Sequence, residues 1–168
     1  MRIAVYAFDG VTMFHLSIPQ MVFGTVSRLG LADWRVSLFT TGSESVGPVE
    51  DPADSTASAP SPTATLVSSP TTAPVRSPTT TSIRTSEGYI LSGLGGPESA
   101  QEADVVVVPA WFADGRAAED SLRSLLKEAH DRGASVVGLC LGAIPLAEAG
   151  LIGGRRATTH WRAFEPLA

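Results

Sequence analysis

The chain has 168 residues, enough for one domain, and its 43% hydrophobic content is enough to build a core. A single cysteine, Cys140, excludes an internal disulfide and fits a reducing compartment, and the net charge of −5 argues against this chain holding DNA or RNA by its backbone. No apolar run approaches the roughly 20 residues that span a bilayer, and the first residues lack a signal-peptide pattern, so a cytoplasmic protein with no membrane partner is expected.

Residues 2–8 form an apolar run that stops at the turn pair Asp9-Gly10 and predict a first strand. Ser17 is a candidate helix N-cap with Pro19 in the first turn, Met21, Val22 and Val26 fall at helical spacing, and Gly30 stands where the helix would stop. Residues 34–40 alternate with period two and predict a second strand. This β-α-β order implies neighbouring parallel strands.

From residue 42 to about 84 the composition changes. Pro, Ser, Thr and Ala dominate, aromatic residues are absent, and a tandem octapeptide runs over 61–68, 69–76 and 77–84. A period of eight is too short for a folded solenoid, and so few large apolar groups cannot offset the entropy of ordering. The segment is read as a disordered insertion, with its Ser-Pro sites open to a second reading as a phosphorylated tether. Order is expected to return over 85–91 as a turn and short strand.

Residues 103–109 contain four consecutive valines, the pattern of a strand covered on both faces. Ala110 and Trp111 follow at its carboxyl end. Residues 117–132 carry Ala118, Leu122, Leu125, Leu126 and Ala129 on one stripe, closed by Gly133, and predict an amphipathic helix with His130 on its solvated side. The fold class expected is α/β, a doubly wound, mostly parallel sheet with a long disordered insertion.

Residues 134–150 read as a buried strand, a sharp turn and a small-residue helix. Gly138-Leu139-Cys140-Leu141-Gly142 fits the G-x-nucleophile-x-G elbow, with Cys at the apex. A strand that reverses into a helix crowds its own backbone, and flanking glycines relieve the crowding. The apex side chain would lie over the start of the next helix, where the positive helix end favours a thiolate. The competing reading is a small buried core residue. In open α/β sheets ligands bind beyond the carboxyl ends of the strands. Cys140, the Ala110-Trp111 pair and the 9–15 loop should all arrive there. The Leu141 N–H and an N–H near Ala110-Trp111 could form an oxyanion pocket, and His15 and His160 are the candidates for tuning the thiol. No metal site is expected.

Phe8-Asp9-Gly10-Val11-Thr12, the valine strand with Pro109, and the elbow through Ala143 together resemble the ThiJ/PfpI superfamily, the class I glutamine amidotransferase-like fold. Residues 147–161, ending in Thr158-Thr159-His160-Trp161, are similar to the branch that forms the N-terminal sensor domain of AraC-type transcriptional regulators. The resemblance covers nearly all of the chain except 42–84. It implies a flavodoxin-like sheet. Four departures from the family pattern stand out. His15 occupies the place where family enzymes carry a carboxylate, and Leu141 stands where protease-like members carry His. No distal His and Glu pair of the amidotransferase type follows the elbow helix, and the chain stops where regulator-type members continue.

The resemblance therefore implies a single domain over 1–168, incomplete at its C-terminus and without a DNA-binding domain. Its expected role is non-enzymatic ligand sensing and dimerisation, with an unidentified small-molecule ligand contacted by Ala110, Trp111, Leu141 and His160 and with no cofactor. A homodimer that does not itself bind nucleic acid is expected. The alternative is a cysteine-dependent hydratase or amidase with Cys140 as nucleophile and His15 at the acid position. A redox sensor that oxidises Cys140 to a sulfenic acid is a third reading.

Overall fold

The computed structural model describes residues 1–42 and 81–161. Its main sheet has four strands: β1 (Arg2–Tyr6), β2 (Arg35–Phe39), β5 (Val105–Val108) and β6 (Ser135–Gly138), in the order β2-β1-β5-β6. All three pairings are parallel, with Val5 opposite both Leu38 and Val107. The expected parallel α/β sheet is therefore present. Val106, Val107 and Val108 are buried in succession, which requires cover on both faces of β5. Each such side chain contributes about 1.5–3 kcal/mol through burial.

Helix α1 (Met13–Arg28) connects β1 to β2, and α3 (Asp120–Asp131) connects β5 to β6. The two crossovers run to opposite sides, so the chain reverses direction between β1 and β5. That pair is the topological switch point of the sheet. The α3 stripe packs as expected, with Leu122, Leu125, Leu126 and Ala129 buried and Gly133 at φ +93° beyond its end. The helix begins at Asp120 rather than 117, because the Ala118 N–H is held by the Glu148 carboxylate at 2.6 Å.

Helix α1 starts earlier than Ser17. Thr12 is the N-cap, its hydroxyl accepting the His15 N–H, and Pro19 lies inside the helix. Ser17 instead donates to the Phe14 carbonyl at 2.7 Å, one turn back, close to where Pro19 interrupts the backbone ladder. Met21 and Val22 are exposed, while Leu16 and Pro19 form the buried face.

The disorder expected over 42–84 does not hold at its C-terminal end. Residues 43–80 lie outside the described residues, but Thr81–Arg84 forms strand β3, paired antiparallel with β4 (Ile90–Leu94). Ser82 and Ile83 are buried. The end of the third octapeptide is thus ordered. Ile83 supplies a large apolar group, and the backbone of Arg84 is fastened to the loop after β1. Its N–H donates to Asp9 Oδ1 at 2.6 Å and its carbonyl accepts the Gly10 N–H at 2.8 Å. A tight turn with Gly88 at φ +91° then leads into β4. A short helix, α2 (Glu98–Gln101), precedes β5. Among the described residues no helix is long and apolar enough to cross a membrane.

Candidate functional site

Strand β6 ends at Gly138, and the chain turns through the 3-10 segment Cys140–Gly142 into α4 (Ala143–Glu148). Cys140 is half-buried and has φ +54°, the one non-glycine residue with positive φ among those described. A left-handed non-glycine residue costs about 1–2 kcal/mol, a strain that clusters at functional sites. Both flanking glycines are sterically required. A Cβ on Gly138 would come within 2.6 Å of the Gly142 carbonyl oxygen, and one on Gly142 would overlap the Val108 carbonyl. The Cβ-free contact lets the elbow lie against the end of β5, close to the Ala110 amide nitrogen. The Leu139 N–H continues the pairing by donating to Val108 O at 2.9 Å. The elbow and the Ala110-Trp111 segment are therefore neighbours.

The His15 side of the site is built from three segments. Thr12 Oγ1 lies 2.6 Å from His15 Nδ1 and also accepts the His15 N–H. Its own proton is then available to Nδ1, which assigns the ring proton to Nε2 in the neutral form. Desolvation pushes the His15 pKa below 6.5 and His160 adds to this, while Glu87 opposes both. Glu87 stands in the β3–β4 turn, and its carboxylate accepts the Met13 N–H at 3.1 Å, at the start of α1. Desolvation would raise the Glu87 pKa. Bonds from its own N–H, the Met13 N–H and the Thr85 and Ser86 hydroxyls outweigh that and hold it below the usual range. From the carboxyl-terminal segment, Thr159 donates to the Cys140 carbonyl at 2.8 Å, and the His160 ring lies 5.6 Å from that of Trp161. Neither Glu87 nor Thr159 was singled out from sequence. Thr159 lies within the Thr-Thr-His-Trp stretch, whereas Glu87 carries no local signal.

Beyond the carboxyl ends of β1, β2 and β5 lies a cavity of about 420 Å³, walled by Tyr6 at the end of β1, Phe8 and Asp9 after it, Thr40, Thr41 and Gly42 after β2, Ser82 and Ile83 of β3, and Trp111, Phe112, Arg116, Ala117 and Glu119 after β5. Trp111 belongs to it, with its indole N–H donating to the Arg116 carbonyl at 2.9 Å. Cys140, Leu141, His15, Ala110 and His160 do not line it. Ala110 is buried and Leu141 is half-buried beside the elbow. The Tyr6 hydroxyl lies 3.0 Å from Thr41 Oγ1. Burial raises the Tyr6 pKa, with the Glu119 and Asp9 carboxylates adding to it, against the bond to Thr41. Among the described residues no group of three or more His, Cys, Asp or Glu is placed to hold a metal ion.

The sequence profile of the DJ-1/PfpI family matches residues 64–168, well over half of the chain. The chain belongs to the DJ-1/PfpI family. A DJ-1/PfpI chain of this kind is 32% identical over 168 residues to an "uncharacterized protein in cpoL 5′ region" of Streptomyces lividans, covering 99% of this chain and 92% of that one. It is 36% identical over 80 residues to the HTH-type transcriptional regulator CdhR of Pseudomonas aeruginosa, covering 48% of this chain and 24% of the regulator. In fold, the DJ-1/PfpI domain is similar to an AraC family transcriptional regulator from Pseudomonas putida, with a TM-score of 0.66 and 15% identity. That likeness covers 99% of this chain and 70% of the regulator and speaks for the fold alone.

Proposed function

We propose that the chain is the ligand-sensing and dimerisation domain of an AraC-type transcriptional regulator and does not turn over substrate. The observation that carries this reading is the position of the cavity. It lies beyond the carboxyl ends of β1, β2 and β5, the side of an open α/β sheet on which ligands bind, and among the described residues its walls do not include the elbow thiol. A catalyst needs its nucleophile in contact with the bound molecule, whereas a sensor needs only occupancy that shifts an equilibrium. The sequence likeness to the HTH-type transcriptional regulator CdhR over 80 residues supports the same reading.

A thermal-shift screen of small molecules tests it on the wild-type chain and Cys140→Ala together. A sensor predicts compounds that raise the melting temperature of both proteins equally. An enzyme predicts compounds that are consumed by the wild type and left intact by Cys140→Ala. Within this reading the chain acts in the cytoplasm as a homodimer, which sedimentation of the purified protein would detect at twice the monomer mass. The enzyme alternative, a hydratase or amidase using Cys140, draws on one observation, the positive φ at the thiol.

A further inference from the structure

The Cys140 turn is held from two sides. On the sheet side, the Leu139 N–H donates to the Val108 carbonyl, and the Gly142 N–H closes the turn by donating to the Leu139 carbonyl at 2.7 Å. Neither bond engages the Cys140 carbonyl. That group accepts from the other side, from the Thr159 hydroxyl at 2.8 Å, across 19 residues of sequence. Thr159 belongs to a surface segment. The Arg155 N–H donates to the Ile152 carbonyl, and beyond that turn residues 156–160 adopt neither helix nor strand. Residues 153–158 are exposed, whereas Thr159 and His160 are half-buried.

Backbone strain such as the φ of +54° at Cys140 persists only where the surroundings hold it. Turning Cys140 out of the left-handed region relieves the strain but re-aims its carbonyl away from Thr159. The strain of one left-handed residue and the strength of one neutral hydrogen bond are of the same order, so a single bond is enough to balance the turn. We propose that Thr159 is a latch: its hydroxyl holds the strained Cys140 turn closed, and lifting the 155–161 segment frees the turn and opens the half-buried thiol to solvent. Access to Cys140 is then set by the position of the carboxyl-terminal segment. This control lies in the elbow's own backbone and works alike in a sensor or an enzyme, so it goes beyond the sensor reading.

Alkylation by iodoacetamide reads the state of the latch, because Cys140 is the only cysteine in the chain. At fixed pH and temperature, Thr159→Val should react at least about threefold faster than the wild type. Thr159→Ser, which keeps the hydroxyl, should retain the wild-type rate, and so should Thr158→Val at the exposed neighbour. Hydrogen exchange of the Gly142 amide should quicken in Thr159→Val while the amides of α3 keep their wild-type protection, which separates opening of the turn from loss of the fold. The proposal is overturned if Thr159→Val falls short of that threefold, if Thr159→Ser or Thr158→Val reacts as fast as Thr159→Val, or if α3 loses protection together with Gly142. Should Thr159→Val not fold, alkylation of the wild type in sub-denaturing urea decides. A local opening gives a rate nearly independent of urea, whereas a rate that climbs with the slope of global unfolding overturns the latch.

Discussion

Cys140 holds a backbone conformation that suits glycine, between two glycines that nothing larger can replace. Cys140→Gly should therefore raise unfolding stability by about 1 kcal/mol in urea titrations. Gly142→Ala, which drives a methyl into the Val108 carbonyl, should lower it by about 3 kcal/mol. Loss of stability in the first variant would mean that the thiol contributes more through packing than the strain costs. His15 gives a pH signature. Its folded-state pKa lies below 6.5, so the unfolded chain binds the proton more readily. Stability should fall as pH drops through 6.5 towards the folded value and level off below it, and His15→Gln should remove that component of the slope. An unchanged slope in the variant would contradict the burial ascribed to His15. The elbow was legible in the sequence because steric exclusion of a Cβ is a local property. The Glu87 contact was not, since it joins positions 74 residues apart through a turn whose docking no local pattern encodes.

Among the elements, strand β3 departs most from the sequence reading. Its residues share the octapeptide's composition, and composition reports an average that one well-placed Ile can override. Ile83→Ala should cost about 2 kcal/mol, and a denaturation midpoint indistinguishable from wild type would show that β3 adds little. Helix α1 offers a similar lesson. Both Thr12 and Ser17 are chemically fit to cap a helix, and a Pro just inside a helix start favours Ser17 on local grounds. The bond from the His15 N–H to the Thr12 hydroxyl decides for Thr12. Thr12→Ala should lower stability by about 1 kcal/mol and Ser17→Ala by much less, measured in the same titrations.

At the scale of the molecule, the parallel sheet was readable from the valine run and the alternation of strand and helix patterns, which constrain topology strongly. The cavity was only half readable. Asp9, Thr41 and Trp111 follow strand ends and were foreseeable there, but Glu119 reaches the same space only through the fold of the connection between β5 and α3. The sensor reading at this scale also predicts that the isolated chain does not retard DNA sequence-specifically at physiological salt, and specific retardation would contradict it. The most direct test of the central claim is steady-state turnover of amides, esters and isonitriles by the wild type and Cys140→Ala, followed by product formation. The account predicts no Cys140-dependent product from any of them, alongside stabilising ligands that act on both proteins. Product formed by the wild type and lost in Cys140→Ala would contradict it.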